Sequence, residues 1–138
     1  MVKQFNIKLS TGGNGQMVDI TGEVSGAVRE SGLADGIATV FVPGATGGLT
    51  TIEYEGGLEK DFSELMEKLI PEGREYYHNE RWGDGNGHSH LRASLVGPSL
   101  TVPFTAGRLT LGTWQQIIFL DFDVRARTRS LVVQIIGE

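Results

Sequence analysis

Beyond Pro71 the chain carries a succession of strand-like runs with no helical pattern between them, and this order limits its fold more than any other feature. Ser89–Leu95, Leu100–Phe104, Trp114–Asp123 and Ser130–Ile136 read as strands, with a short piece around Arg108–Leu111. Gly97-Pro98 and Ala106-Gly107 are turn signals between them. A doubly wound nucleotide-binding fold needs a helix after each strand, so this half argues against one.

The first half is mixed. Phe5, Ile7 and Leu9 alternate with polar residues, as on a half-buried strand. Thr11-Gly12-Gly13-Asn14-Gly15 reads as a turn and Gln16–Asp19 as the returning strand. Thr21 suits a helix N-cap, Val24, Ala27 and Val28 form an apolar stripe, and Gly32 suits the left-handed position after the last turn. Ile37–Val42 and Leu49–Glu55 read as strands. Phe62, Leu65, Met66 and Leu69 recur at helical spacing, so Leu58–Ile70 is the strongest helix, ended by Pro71. The expectation is one α+β domain over residues 1–138, a β-sandwich or partly closed barrel with two helices.

Composition narrows the function. The 138 residues include no cysteine, which excludes a thiol nucleophile and a Cys-ligated metal. The formal net charge of −5 lowers the weight of general nucleic-acid binding. The longest apolar run is Ile117-Ile118-Phe119-Leu120, too short to span a membrane. A cytoplasmic location is expected. Charge is uneven: nine acids and three bases lie between Glu53 and Glu80, and seven of eight arginines lie from Arg74 onward.

All three histidines, His78, His88 and His90, fall within thirteen residues. On a strand, His88 and His90 would share a face with bases roughly 7 Å apart, close enough to converge on one metal ion. His78 can come across from the preceding loop, and Asp84, Glu53 and Glu80 offer carboxylates. A hydrogen-bonding, His-rich loop is the bland alternative. Gly83-Asp84-Gly85-Asn86-Gly87 can point several amides into one concavity suited to phosphate, or can be a plain surface loop. Arg92 and Ser94 would share the histidine face, and Arg92 reads either as a phosphate clamp or as a salt-bridge partner of the central acids. Arg125, Arg127 and Arg129 alternate, so an extended segment would turn all three one way.

The segments Tyr77-His78-Asn79, Gly83–Ser99, Gly107–Gln116 and Val132–Glu138 together resemble the YjbQ-like family, over nearly the whole chain. The resemblance implies a compact α+β domain assembled as a homotrimer. It also implies a secondary thiamine-phosphate synthase activity, which joins a pyrimidine diphosphate to a thiazole phosphate. Such chemistry calls for cationic groups at the leaving diphosphate and a divalent metal ion, zinc or magnesium. The partner would be a phosphorylated small molecule, with neither nucleic acid nor membrane. Glu53, Asp84 and His88 are then the catalytic candidates. Gly85, Asn86, Gly87, Arg92 and Ser94 are candidates for phosphate, and His78, His88 and His90 for metal. Many relatives carry Pro-His-Thr-Thr where this chain has Pro43-Gly44-Ala45-Thr46, so Gly44 replaces a histidine. The usual Asp-Gly-Pro-Arg near the end is altered to Asp123-Val124-Arg125. A metal-dependent hydrolase and a non-catalytic phosphate-binding protein are the competing expectations.

Overall fold

The structure is a computed structural model that describes residues 1–138. Its elements in chain order are β1 (Val2–Thr11), β2 (Gln16–Asp19), α1 (Thr21–Ser31), β3 (Gly36–Phe41), β4 (Gly47–Ile52), α2 (Gly56–Leu69), α3 (Tyr77–Trp82), α4 (Gly87–Val96), β5 (Ser99–Thr105), β6 (Arg108–Leu109), β7 (Gln116–Asp121) and β8 (Arg127–Gly137). Five strands form one antiparallel sheet in the order β1-β8-β3-β5-β6, and three form a second in the order β2-β7-β4. The α+β expectation holds, with both sheets curled into an open half-barrel. The helix count is four rather than two.

Layering follows from where the apolar side chains point. Ile7, Val40, Phe104, Leu131, Val133 and Ile135 of the larger sheet meet Ile20, Val24 and Val28 of the α1 segment and Leu49, Ile117 and Phe119 of the smaller sheet in one core. The other face of the smaller sheet, through Met17, Ile118 and Leu120, packs on Met66 of α2 and Ala93 of α4. Strand β7 is therefore buried on both faces, which is why its sequence is an unbroken apolar run rather than an alternation. The outer face of the larger sheet has no layer over it. Val2, Ile136, Ile37 and Pro103 lie side by side across four strands there, with Val132 and Phe41 in a second row.

Two ends are built as expected and one is not. Gly32 takes φ 72° after α1. Helix α2 starts behind Glu55, whose carboxylate accepts from the Gly57 and Leu58 amides, and Ile70 closes it just before Pro71. Thr21 lies inside α1, and Asp19 Oδ1 accepts both its amide and its hydroxyl.

The substantive correction is Ser89–Leu95, which is the middle of helix α4 and not a strand. Residues 87–95 contain no β-branched side chain, and Leu, Arg and Ala favour a helix. Ser89, Ala93 and Val96, at i, i+4 and i+7, turn inward. A Cβ on Gly48 would lie 2.8 Å from Val96 Cγ1, so glycine at that point of β4 lets α4 rest directly on the sheet. With 100° per residue, side chains two apart on a helix point about 200° apart. The shared face of His88, His90, Arg92 and Ser94 does not exist.

Candidate functional site

A cleft of about 400 Å³, lined by the charged side chains of Asp84, Asp123, Arg125 and Arg127, opens between the start of α4 and the bend that joins β7 to β8. His90, Asn86 and Asp84 form one wall; Arg125, Arg127 and Asp123 form the other; Ala45 and Thr46, just before β4, close the end.

Short-range order in the first wall comes from α3 and the loop behind it. Gly83, at φ 70°, ends α3 and turns the chain back toward α4. The His78 and His90 rings then meet at a centroid distance of 4.6 Å and a 60° tilt. With its amide nitrogen turned inward, Asn86 donates to Asp84 Oδ1 at 2.9 Å and to His78 Nε2 at 2.9 Å. Asp84 Oδ1 itself lies 3.3 Å from His78 Nε2. His90 Nδ1 lies 3.1 Å from the Ala45 carbonyl oxygen. A carbonyl only accepts, so Nδ1 carries the proton and the neutral ring keeps its lone pair on Nε2. That nitrogen is equipped to take or return a proton.

The second wall rests on a buried charge network. Asp121 is fully buried, and Arg129 is 5% exposed. Arg129 Nε and Nη2 donate to the two carboxylate oxygens of Asp121 at 2.9 and 2.8 Å, a bidentate pair. Burial pushes the Asp121 carboxyl up. Hydrogen bonds from Arg129, the Thr11 hydroxyl and the Asp123 amide outweigh that and hold it below the usual carboxylate range. The Asp121 bond and charge likewise raise Arg129 against the opposing effect of burial. Arg129 Nη2 also donates to Thr46 Oγ1, whose hydroxyl donates to Asp123 Oδ2 at 3.2 Å. Asp123 Oδ2 faces Arg127 Nε at 3.4 Å. The network thus reaches from the core to the rim of the cleft. Gly13, at φ 72°, lies against this bend, and a Cβ there would sit 2.5 Å from the Arg125 carbonyl oxygen. Arg125 is exposed at the mouth and belongs to none of the four ion pairs.

The remaining sequence candidates lie elsewhere or are otherwise engaged. Arg92 donates to Glu67 at 2.9 Å and to the Ile70 carbonyl at 3.0 and 2.7 Å, so it caps the end of α2. The Gly87 amide donates to Asn79 Oδ1 at 2.8 Å, and Gly85 lies outside the cleft lining. Ser94 donates back to the His90 carbonyl at 2.8 Å. Glu53 follows the far end of β4, roughly 20 Å along an extended strand from Thr46. His88 is buried on the α2 side; burial, then the Arg92 charge, lower its pKa, against weaker opposing effects of Glu72 and Glu67. Neither His88 Nδ1 nor Ser89 Oγ has a hydrogen-bond partner. No three His, Asp or Glu side chains gather in a metal-holding group, so the geometry does not fit the three-histidine centre. Thr46, Arg125 and Arg127 join the cleft although no sequence motif marks them as site residues. The signals were the alternating arginines and the Gly44-Ala45-Thr46 stretch, which only folding brings opposite the histidines.

The fold and the sequence both have close counterparts. A UPF0047 protein of Archaeoglobus fulgidus is 41% identical over 130 residues, covering 94% of this chain and 98% of that one. UPF0047 protein YugU of Bacillus subtilis is 36% identical and covers 99% of this chain and 100% of its own. A crystal structure from Sulfolobus solfataricus P2, described as a YbjQ-like protein of unknown function, superposes with a TM-score of 0.90 at 31% identity, covering all of both chains. One of an uncharacterized conserved protein from Clostridium acetobutylicum superposes at 0.87 with 39% identity, covering 96% of this chain and 99% of that one. The sequence model described as UPF0047 protein YjbQ-like matches residues 5–138, and the chain belongs to that family.

Proposed function

We propose that this protein binds a phosphorylated small molecule in the His90–Arg125 cleft and moves a proton there through His90 Nε2. The observation that carries this reading is the opposition of two walls. One presents Arg125, free of any ion pair, beside Arg127; the other presents an imidazole oriented by the Ala45 carbonyl. Guanidinium groups suit the planar donor demand of phosphate, and a poised imidazole suits acid–base work on the group attached to it. Thiamine-phosphate synthesis, implied by the family resemblance, falls within this reading because both of its substrates carry phosphate. The homotrimer belongs to the same proposal: the uncharged rows on the open face of the larger sheet suit contact with further copies.

Calorimetric titration with inorganic phosphate tests the cleft. The wild-type protein is expected to bind saturably, and Arg125→Met to weaken binding on the order of 10-fold or more, the usual size of one charge-assisted contact. His90→Gln should retain binding. No saturable binding, or binding indifferent to both Arg125→Met and Arg127→Met, refutes the reading.

A further inference from the structure

The free strand edges of the two sheets are not guarded alike. The edge of β1 carries Lys3 and Lys8, β2 is four residues long and ends in Asp19, and β6 is only two residues long. Charge and brevity are the usual means of keeping a free edge from pairing with another chain. Strands β4 and β5 meet along the seam of the half-barrel without either: residues 47–52 and 99–105 contain no charged side chain, and Pro103 is the one guard. A slot of about 400 Å³ runs along this seam. Residues 49–51 of β4 and 99–103 of β5 line it. Consecutive strand residues point to opposite faces, so the wall on each side is the backbone edge itself. The hydrogen bonds fix what that edge presents. The Leu49 amide donates to the Gly97 carbonyl, away from β7, so Thr51 also turns its N–H and C=O outward. The Thr110 amide donates to the Pro103 carbonyl, away from β3, so Ser99 and Thr101 turn theirs into the slot. Leu49 and Val102, with Leu100 and Leu111 packed on them, form the core side of the seam, and the exposed Ser99 and Thr101 form its outer side.

From these edges we infer that the seam is a docking slot for an extended, uncharged peptide segment of another protein, which adds to the half-barrel as a further strand. Outward N–H and C=O groups recurring at every second residue are matched by another extended backbone, which has the same repeat. Side chains of the segment alternate in turn: apolar ones face Leu49, Leu100, Val102 and Leu111, and small hydroxylated ones lie beside Ser99 and Thr101. A charged side chain on the inner face would lose its water and find no counter-charge, because no Asp, Glu, Lys or Arg lines the slot. A second copy of this chain is the wrong occupant. Its other free edges carry Lys3 and Lys8, Asp19 or Arg108, and two concave seams cannot fill one another. The slot shares no residue with the His90–Arg125 cleft, so the inference is independent of the phosphate reading.

The probe is a dye-labelled peptide of alternating valine and threonine, about as long as residues 99–103, titrated with the full chain and read by fluorescence anisotropy. The wild type is expected to bind it saturably. Thr101→Pro removes an N–H that faces the slot and spares the ladder with β3, as Pro103 already does two residues on. That variant is expected to fold, which thermal melts check, and to bind on the order of tenfold more weakly. The peptide with its valine amides N-methylated, or with its valines replaced by lysine, should bind the wild type no better than that; these two arms carry the test if Thr101→Pro does not fold. Absence of saturable binding overturns the inference. So does equal binding of the N-methylated peptide, or unchanged affinity in a folded Thr101→Pro. If no peptide binds and Thr101→Pro instead changes the sedimentation of the protein, the seam is a contact between copies and the inference is wrong.

Discussion

Replacing Arg129 with methionine should cost this protein far more than replacing Arg125, although the two are four residues apart and share a side chain. Arg129 is 5% exposed and makes two charged hydrogen bonds to Asp121, which is fully buried. Methionine fills much of the same volume but leaves the Asp121 carboxylate without its counter-charge. The Thr11 hydroxyl and the Asp123 amide remain, and neither carries a charge. Breaking one side of a buried pair costs about 3–5 kcal/mol. For a chain of this size that is a fall of about 10–20 °C in Tm. Arg125→Met removes an exposed, unpaired charge and should move Tm by no more than about 2 °C. Acid provides the internal control. Asp121 is held below its unfolded pKa in the wild type, so its stabilisation is complete above that unfolded value and is lost as pH falls through the lower folded one. In the variant that stabilisation is already gone, so the Tm gap between the two proteins should narrow between pH 7 and about pH 3. Adding Asp121→Asn to Arg129→Met should recover part of the loss at pH 7. Calorimetric or circular-dichroism melts read all of these. A loss at pH 7 no larger than that of Arg125→Met, or a gap that widens in acid, would refute the reasoning.

Two further outcomes follow from other parts of the structure. Because burial lowers the His88 pKa, the folded state binds its proton less readily than the unfolded state; stability is full above about pH 6.5 and falls as pH drops toward the folded value. His88→Gln should flatten the Tm profile between pH 7 and pH 5, and an unchanged slope would assign that dependence to other groups. Sedimentation velocity at micromolar concentration should show a species of three chains, and Ile37→Lys with Phe41→Lys on the open sheet face should dissociate it; a wild-type particle of 15.0 kDa would exclude the trimer.

Legibility in the sequence followed the uniqueness of each pattern. The apolar run of β7 and the helical stripe of α2 each fit one period: Ile117–Leu120 are all buried, and of the stripe Met66 is buried and Phe62 half-buried while Leu65 and Leu69 stay exposed. Residues 88–95 satisfied two periods at once. Their polar–apolar alternation suits a strand, and Ser89, Ala93 and Val96 suit a helix; Asn86 and Gly97 at the ends, with no β-branched residue from 87 to 95, are what tip the balance. That one period misplaced Arg92 and His88, so the expected convergence of three histidines reduces to the meeting of His78 with His90 beside Asp84 and Asn86. The alternating arginines show the opposite limit. Arg125 lies in a bend outside β8, and Arg127 and Arg129 share the inward face of the strand at different depths. Spacing alone cannot separate a ligand-facing cation from a buried one, because depth is set by Asp121 of β7 and by Thr46 in the bend before β4.

The strand order of the larger sheet also dictates when the protein can fold. Strand β8 stands between β1 and β3, and β1 has no other neighbour in the sheet, its Val2 lying opposite Ile136 and its Thr11 opposite Arg127. Until residues 127–137 leave the ribosome, β1 is a lone strand with Phe5, Ile7 and Leu9 uncovered, and β3, β5 and β6 form a fragment open along one edge. Closure joins residues more than a hundred positions apart, which is the kind of contact that slows folding. Synthesis of this chain therefore exposes an adhesive edge for nearly its whole duration, and truncation within the last strand should send the product to aggregates rather than to a shortened native domain.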